Sequence, residues 1–115
     1  MISKKQLEVI KNMDMFLKEI KIIFPDFFSE WNINELPYLF MGDFVCYVEK
    51  KGDIIDMKNV DYILNLFLDS SINGKDLNNI VIVGFLEVLQ DNEILYQRLK
   101  NCAGGKLKKI IQTYM

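Results

Sequence analysis

An all-α fold is what this sequence predicts, and three observations predict it. Apolar residues recur at spacings of three and four along most of the chain, the period of a helix face rather than of a strand. Ser, Asp and Asn stand just ahead of these periodic runs, where a helix needs side-chain acceptors for its unpaired amides. The longest apolar window, Asn79 to Leu89, outlasts a typical strand; Ile80 to Val83 alone suits a pleated surface, but the whole window suits a helix. The expected architecture is a compact bundle of five or six helices forming a single domain over residues 1–115. Its expected centre is an apolar helix near 74–90, buried on all sides and surrounded by the rest.

The elements follow in order. Ser3 with Gln6 makes a capping box, and Leu7, Ile10, Leu17, Ile20 and Phe24 lay one apolar stripe along a first helix. Pro25 ends it, because a residue preceding proline is pushed out of the α region. Pro25 to Trp31 is then one helical turn at most, with Phe27, Phe28 and Trp31 as core plugs. Asn34 caps a second helix, with Pro37 in its first turn and Tyr38 to Val48 apolar nearly all round. The chain turns at Lys50-Lys51-Gly52-Asp53. Asp56 caps a third helix carrying Val60, Ile63, Leu64 and Phe67 up to Asp69-Ser70-Ser71.

The central helix starts at an Asn73 cap with Asp76 three residues on, and Gln90-Asp91-Asn92 closes it. Asp91 or Asn92 caps a fifth helix with Ile94, Leu95 and Leu99. Gly104-Gly105 breaks the chain before a last amphipathic helix with Leu107, Ile110, Ile111 and Tyr114. The helix pairs 35–69 and 74–100 are able to stack as hairpins, but no repeat supports a solenoid.

Half of the 115 residues are apolar and 26% are charged, a globular composition. No apolar run approaches the roughly 18 to 20 residues that span a bilayer. The N-terminus lacks an apolar h-region with a small-residue cleavage site, so the cytoplasm is the expected compartment. Histidine is absent, which removes His-dependent triads, His metal ligands and His proton shuttles together. Cys46 and Cys102 are expected to be buried free thiols. No cofactor or metal is expected. Gly104-Gly105-Lys106 lacks the preceding strand, the spaced first glycine and the Ser or Thr of a phosphate loop.

The net charge of −2 hides an asymmetry. Five lysines in residues 1–24 outnumber Glu8, Asp14 and Glu19, whereas Pro25 to Glu93 holds thirteen acids against Lys50, Lys51, Lys58 and Lys75, a net −9. The last 22 residues carry Arg98, Lys100, Lys106, Lys108 and Lys109 and no acid. An acidic middle repels nucleic acid and attracts a basic partner; the basic end is expected to fold back on the acidic body. The basic amphipathic segment from Lys106 to Ile111 is expected to cover the core rather than lie on a membrane.

Two acids sit in apolar helices just behind glycines, Asp43 after Gly42 and Glu87 after Gly84. Paired carboxylates run acid–base chemistry when they converge in one cleft, but structural roles account for them more simply, and no nucleophile stands beside a base. Gly42 and Gly84 are expected to let helices approach closely; the other option is that they clear space for a partner's side chain.

The stretches Pro37 to Phe44 and Val83 to Gln90 resemble the two signature segments of small all-helical bacterial proteins, many of them encoded beside polymorphic or contact-dependent growth inhibition toxins. The resemblance covers residues 37–115. It implies an immunity protein that neutralises a cognate toxin, with no catalytic group of its own. The charge map fits a basic nuclease domain, such as an RNase, as that toxin, since an acidic inhibitor covers a surface built to hold phosphates. The acids expected to meet the partner are Asp53, Asp56, Asp61, Asp69, Asp76, Asp91 and Glu93, all in loops, caps or helix ends. Asp43 and Glu87 are expected to order the scaffold or make secondary contacts. A helical adaptor without a toxin partner and a small carboxylate enzyme remain the alternatives.

Overall fold

The computed structural model describes residues 18–30, 37–69 and 74–115, with the side chains of 28–30, 37, 38 and 74–76 outside the description. Every regular element among them is helical. The expected capping box at Ser3, the stripe at Leu7, Ile10 and Leu17, the plugs Phe28 and Trp31, the Asn34 cap and the cap of Asn73 with Asp76 lie outside the described residues or side chains.

Residues 18–23 form α1, and the chain leaves it at Phe24 as the following proline requires. Pro25–Glu30 is α2, with Pro25 in the first position, where a missing amide costs nothing. Pro37–Lys51 is α3. It joins α2 through an aromatic cluster: Phe27 meets Phe40, Phe44 and Tyr47 edge-on at 5.7, 5.6 and 5.2 Å, and Phe24 packs on Phe44 and Tyr47 at 5.7 and 5.8 Å. These separations fall in the range where ring pairs add stability beyond their buried area. Outside the cluster, Lys51 reaches Asp26 at 3.4 Å.

Met57–Asp69 is α4, and Asp56 caps it as expected: its Oδ1 accepts from the Lys58 amide at 2.9 Å. The central helix, α5, runs without a break through Gly74–Val81, a π-helical turn at Ile82–Leu86 and Glu87–Leu89. The turn is marked by the Glu87 amide returning to the Ile82 carbonyl, an i→i+5 bond. Glu93–Cys102 is α6; Asn92, not Asp91, is its cap and accepts from the Leu95 amide at 3.3 Å. Gly105–Tyr114 is α7.

The core differs from the expected plan in one respect. The central helix is not wrapped on all sides. Ile80, Val81, Phe85, Leu86 and Leu89 are buried, but Val83 and Val88 stay 43% and 39% exposed and Glu87 faces water. The helix packs on α3 along one side, where Phe44 meets Phe85 at 5.4 Å, and on α4 along another. α4 is equally central, lying against α5, α6 and α7, with Val60, Ile63, Leu64 and Phe67 fully buried. Isoleucine and valine are apolar wherever they stand, so residue type alone overstated how much of α5 the bundle covers.

Two smaller expectations are also corrected. Cys46 is exposed and Cys102 only half-buried. A Cβ added at Gly42 meets nothing within 4 Å, so close helix packing is not what that glycine provides.

Candidate partner-binding surface

The turn between α3 and α4 is built by backbone geometry first. Gly52 adopts φ +30, a region that side-chain-bearing residues rarely enter, and its amide closes α3 on the Val48 carbonyl at 2.8 Å. The Ile54 amide then returns to the Lys51 carbonyl at 2.9 Å. Arg98, one turn into α6, reaches across and donates to the Gly52 carbonyl at 2.9 Å and to the Ile55 carbonyl at 3.1 Å. One guanidinium therefore pins the turn on both sides of Asp53 and Ile54. Ile55 goes into the core, and Ile54 is left 80% exposed.

Against this turn lies the start of α6. Asn92, Ile94 and Leu95 form one wall of a shallow groove of 510 Å³, and Glu49, Lys50, Lys51, Gly52, Asp53 and Ile54 form the other. Ile94 is 74% exposed on its lip. Asp91 and Glu93 flank Asn92 in the chain, Asp56 lies two residues beyond Ile54, and all three are exposed, as is Asp53. Of the lysines in this groove, Lys51 turns to Asp26 and lies 5.8 Å over the Tyr47 ring. Asp26 titrates below its usual value, held there by its own backbone amide and then by Lys51. Of the seven expected partner acids, Asp53 lines this groove, Asp91 and Glu93 stand on either side of its wall residue Asn92 in the chain, and Asp56 lines a separate hollow with Ile55, Lys58 and Arg98.

The others are placed elsewhere. Asp61 is half-buried and works inside the molecule: its Oδ1 accepts from the Gly104 amide at 3.1 Å and from Asn65 Nδ2 at 2.8 Å. Burial pushes its carboxyl above the ordinary value, while the bonds from Gly104 and Asn65 pull the other way. Asn65 also donates to the Gly104 carbonyl at 3.0 Å and accepts from the Leu107 amide at 3.0 Å, so these two α4 side chains cap α7. Cys102, close by, is pushed up by burial and then by the Asp61 charge. Asp69 meets Lys106 at 3.1 Å on the surface, one point where the basic end folds back on an acid. The side chain of Asp76 lies outside the described residues. Glu87 is exposed and Asp43 half-buried.

Asn65, Arg98, Ile54 and Ile94 were not among the expected functional residues. Ile54 carried a legible signal, an aliphatic residue between acids in a turn beside a glycine; nothing local marks Arg98 or Asn65. Among the described residues no polar or charged side chain is buried, and no group of three His, Cys, Asp or Glu is gathered to hold a metal ion. No helix among them is long and apolar enough to cross a membrane. What the arrangement offers chemically is a charged, apolar-tipped contact surface.

No curated protein matches the chain, and no solved structure does. Residues 17–115 match the family described as "Domain of unknown function (DUF7674)", and by that match over most of its length the chain belongs to this family.

Proposed function

We propose that this protein is a cytoplasmic immunity protein that binds and neutralises a cognate bacterial toxin, a nuclease of the RNase kind, through its acidic surface. The observation that carries the reading is that exposed Asp53 lines one groove whose wall residue Asn92 has exposed Asp91 and Glu93 on either side of it in the chain. A cluster of like charges costs stability through self-repulsion and is favourable once a basic surface covers it. A nuclease domain offers such a surface, because it must hold phosphates, and an acidic inhibitor both speeds the encounter and displaces the substrate. The resemblance of Pro37 to Phe44 and Val83 to Gln90 to toxin-associated immunity proteins supports the same reading.

The test is to co-express the product of the adjacent upstream gene with a tagged copy of this chain, purify the pair, and assay the freed partner on RNA and DNA. A tight complex whose partner cleaves nucleic acid only when released is the expected result. A partner that is harmless alone, or that does not bind, overturns the immunity reading. Charge reversal refines it: Asp53→Lys, Asp91→Lys and Glu93→Lys together should weaken toxin binding with helicity unchanged. Asp56 is left out because its carboxylate also caps α4, and losing a cap costs about 1 kcal/mol. The adaptor alternative draws on the exposed side chains of Ile54, Ile94, Tyr62 and Tyr114, and it moves ahead if the upstream product is not a toxin.

A further inference from the structure

Taking the acidic face of the proposed function as its starting point, we infer that the groove between the Gly52–Ile55 turn and the start of α6 docks a cationic segment carrying one aliphatic or aromatic anchor, and that Ile54 and Ile94 hold it. The assignment of the apolar pair as the grip and the acids as the rim rests on three features.

The first is exposure. Ile54 and Ile94 are 80% and 74% open, and both line one groove, Ile54 from the turn and Ile94 from α6. Single exposed apolar residues are ordinary, but two across a groove make a place where an inserted side chain loses water on both sides.

The second is rigidity. Arg98 holds the carbonyls of Gly52 and Ile55, the residues on either side of Asp53 and Ile54, so the ridge does not have to be ordered when a partner arrives. Asn92 likewise fixes the first turn of α6 beneath Ile94.

The third is charge. Glu49 and Asp53 line the groove with Lys50 and Lys51, of which Lys51 is turned to Asp26, and exposed Asp91 and Glu93 flank Asn92 in the chain, so the acids outnumber the lysines here. A second copy of this chain would bring the same acids face to face. A Lys- or Arg-bearing segment meets them with opposite charge, and its apolar residue fills the space between the isoleucines. An apolar centre with a polar rim is where interfaces concentrate their affinity, whereas rim charges act mainly on the rate of encounter.

The experiment is to pan a random twelve-residue peptide display library against the full chain, then measure the selected peptides by titration on the parent and on Ile54→Asp, Ile94→Asp and the milder Ile54→Ala. Peptides with Lys or Arg around an aliphatic or aromatic residue are expected. Each Asp variant should lower their affinity at least tenfold, about 1.4 kcal/mol or more, with the circular dichroism spectrum unchanged. Neutralising Asp53, Asp91 and Glu93 as Asn, Asn and Gln should slow association and flatten its salt dependence while changing dissociation little. Selected peptides of no charge bias, binding that both isoleucine variants leave intact, no selection at all, or self-association abolished by Ile54→Asp would each overturn the assignment. The immunity reading fails separately, in the co-expression test. If the upstream product binds and the isoleucine variants bind it equally well, the groove assignment falls and immunity stands; if peptides dock in the groove and no toxin exists, the reverse holds.

Discussion

Asn65 does more for this fold than any other polar residue described. Half-buried itself, it links three segments: its Nδ2 group bonds Asp61 and the Gly104 carbonyl, and its Oδ1 takes the Leu107 amide. The same contact explains Gly105. Its φ of +55 suits glycine, and a Cβ there would stand 2.9 Å from Asn65 Oδ1. Asn65→Ala is expected to cost about 1–3 kcal/mol, the range for leaving partly buried backbone groups unpaired, measured as a lower urea midpoint with an unchanged slope. Asp61 gives a pH dependence of defined sign. Burial raises its folded-state value above the ordinary 3.8, so the folded protein binds more protons than the unfolded chain between those two values. From this residue alone, stability falls as pH rises through that window and stays lower above it. Asp61→Asn keeps an acceptor for the Gly104 amide and removes the charge. Urea midpoints taken from about pH 3.5 to about pH 7 should rise for the variant relative to the parent as pH increases, because the fall that Asp61 imposes is gone; a difference that stays constant with pH would mean that Asp61 does not contribute to the dependence.

At the scale of elements, α4 and α6 are locked by polar bonds at both of their working ends. The α3–α4 turn is the clearest case, since helix end, glycine and turn all depend on one side chain from a distant helix. Arg98→Met should loosen the 52–55 turn while the rest of the bundle holds. The expected record is a loss of about 1.5–3 kcal/mol, as for hydrogen bonds to a charged group, with faster amide exchange confined to the turn and the end of α3. Exchange that rises uniformly would show the clamp to be part of the global core instead. The π turn in α5 is a different matter. It places Gly84 and exposed Val83 within a helix whose other face is core, and among the described residues no side-chain partner accounts for it.

For the whole molecule the division of charge matters more than its total. A net −2 says little, but the structure sets Asp53 in one groove, with exposed Asp91 and Glu93 beside its wall residue Asn92 in the chain, and puts Lys106 and Lys109 at another, of 310 Å³, with Leu68, Ile110 and Tyr114. Association with a basic nuclease should therefore be strongly salt-dependent and dissociation much less so. Stopped-flow rates between about 0.05 and about 0.5 M salt should fall by tenfold or more on the association side, as screening shortens to a few ångströms. A flat association rate would argue that the acids do not steer the encounter.

The helical class and the starts of α4 and α6 were legible in the chain itself because they are local. Asp56 and Asn92 cap by bonding amides two and three residues on, Pro25 and Gly52 act on their own backbone, and periodicity needs only one turn of helix to declare a face. Seven helices are described where these signals gave five or six, the short Pro25–Glu30 being the addition. Which apolar residues stay wet did not follow, because Val83, Val88 and Cys46 look no different in sequence from their buried neighbours. The functional surface was half legible: the acids carried a charge signal, but nothing said which of them would share a face. That was decided by contacts between residues some forty positions apart, such as Arg98 with Gly52 and Asp61 with Gly104. They took Asp61 out of the surface set and made a rigid, acid-rimmed ridge of the turn at Ile54. Local bonding chooses the elements; only packing brings distant elements together and decides which side chains of each are left to meet a partner.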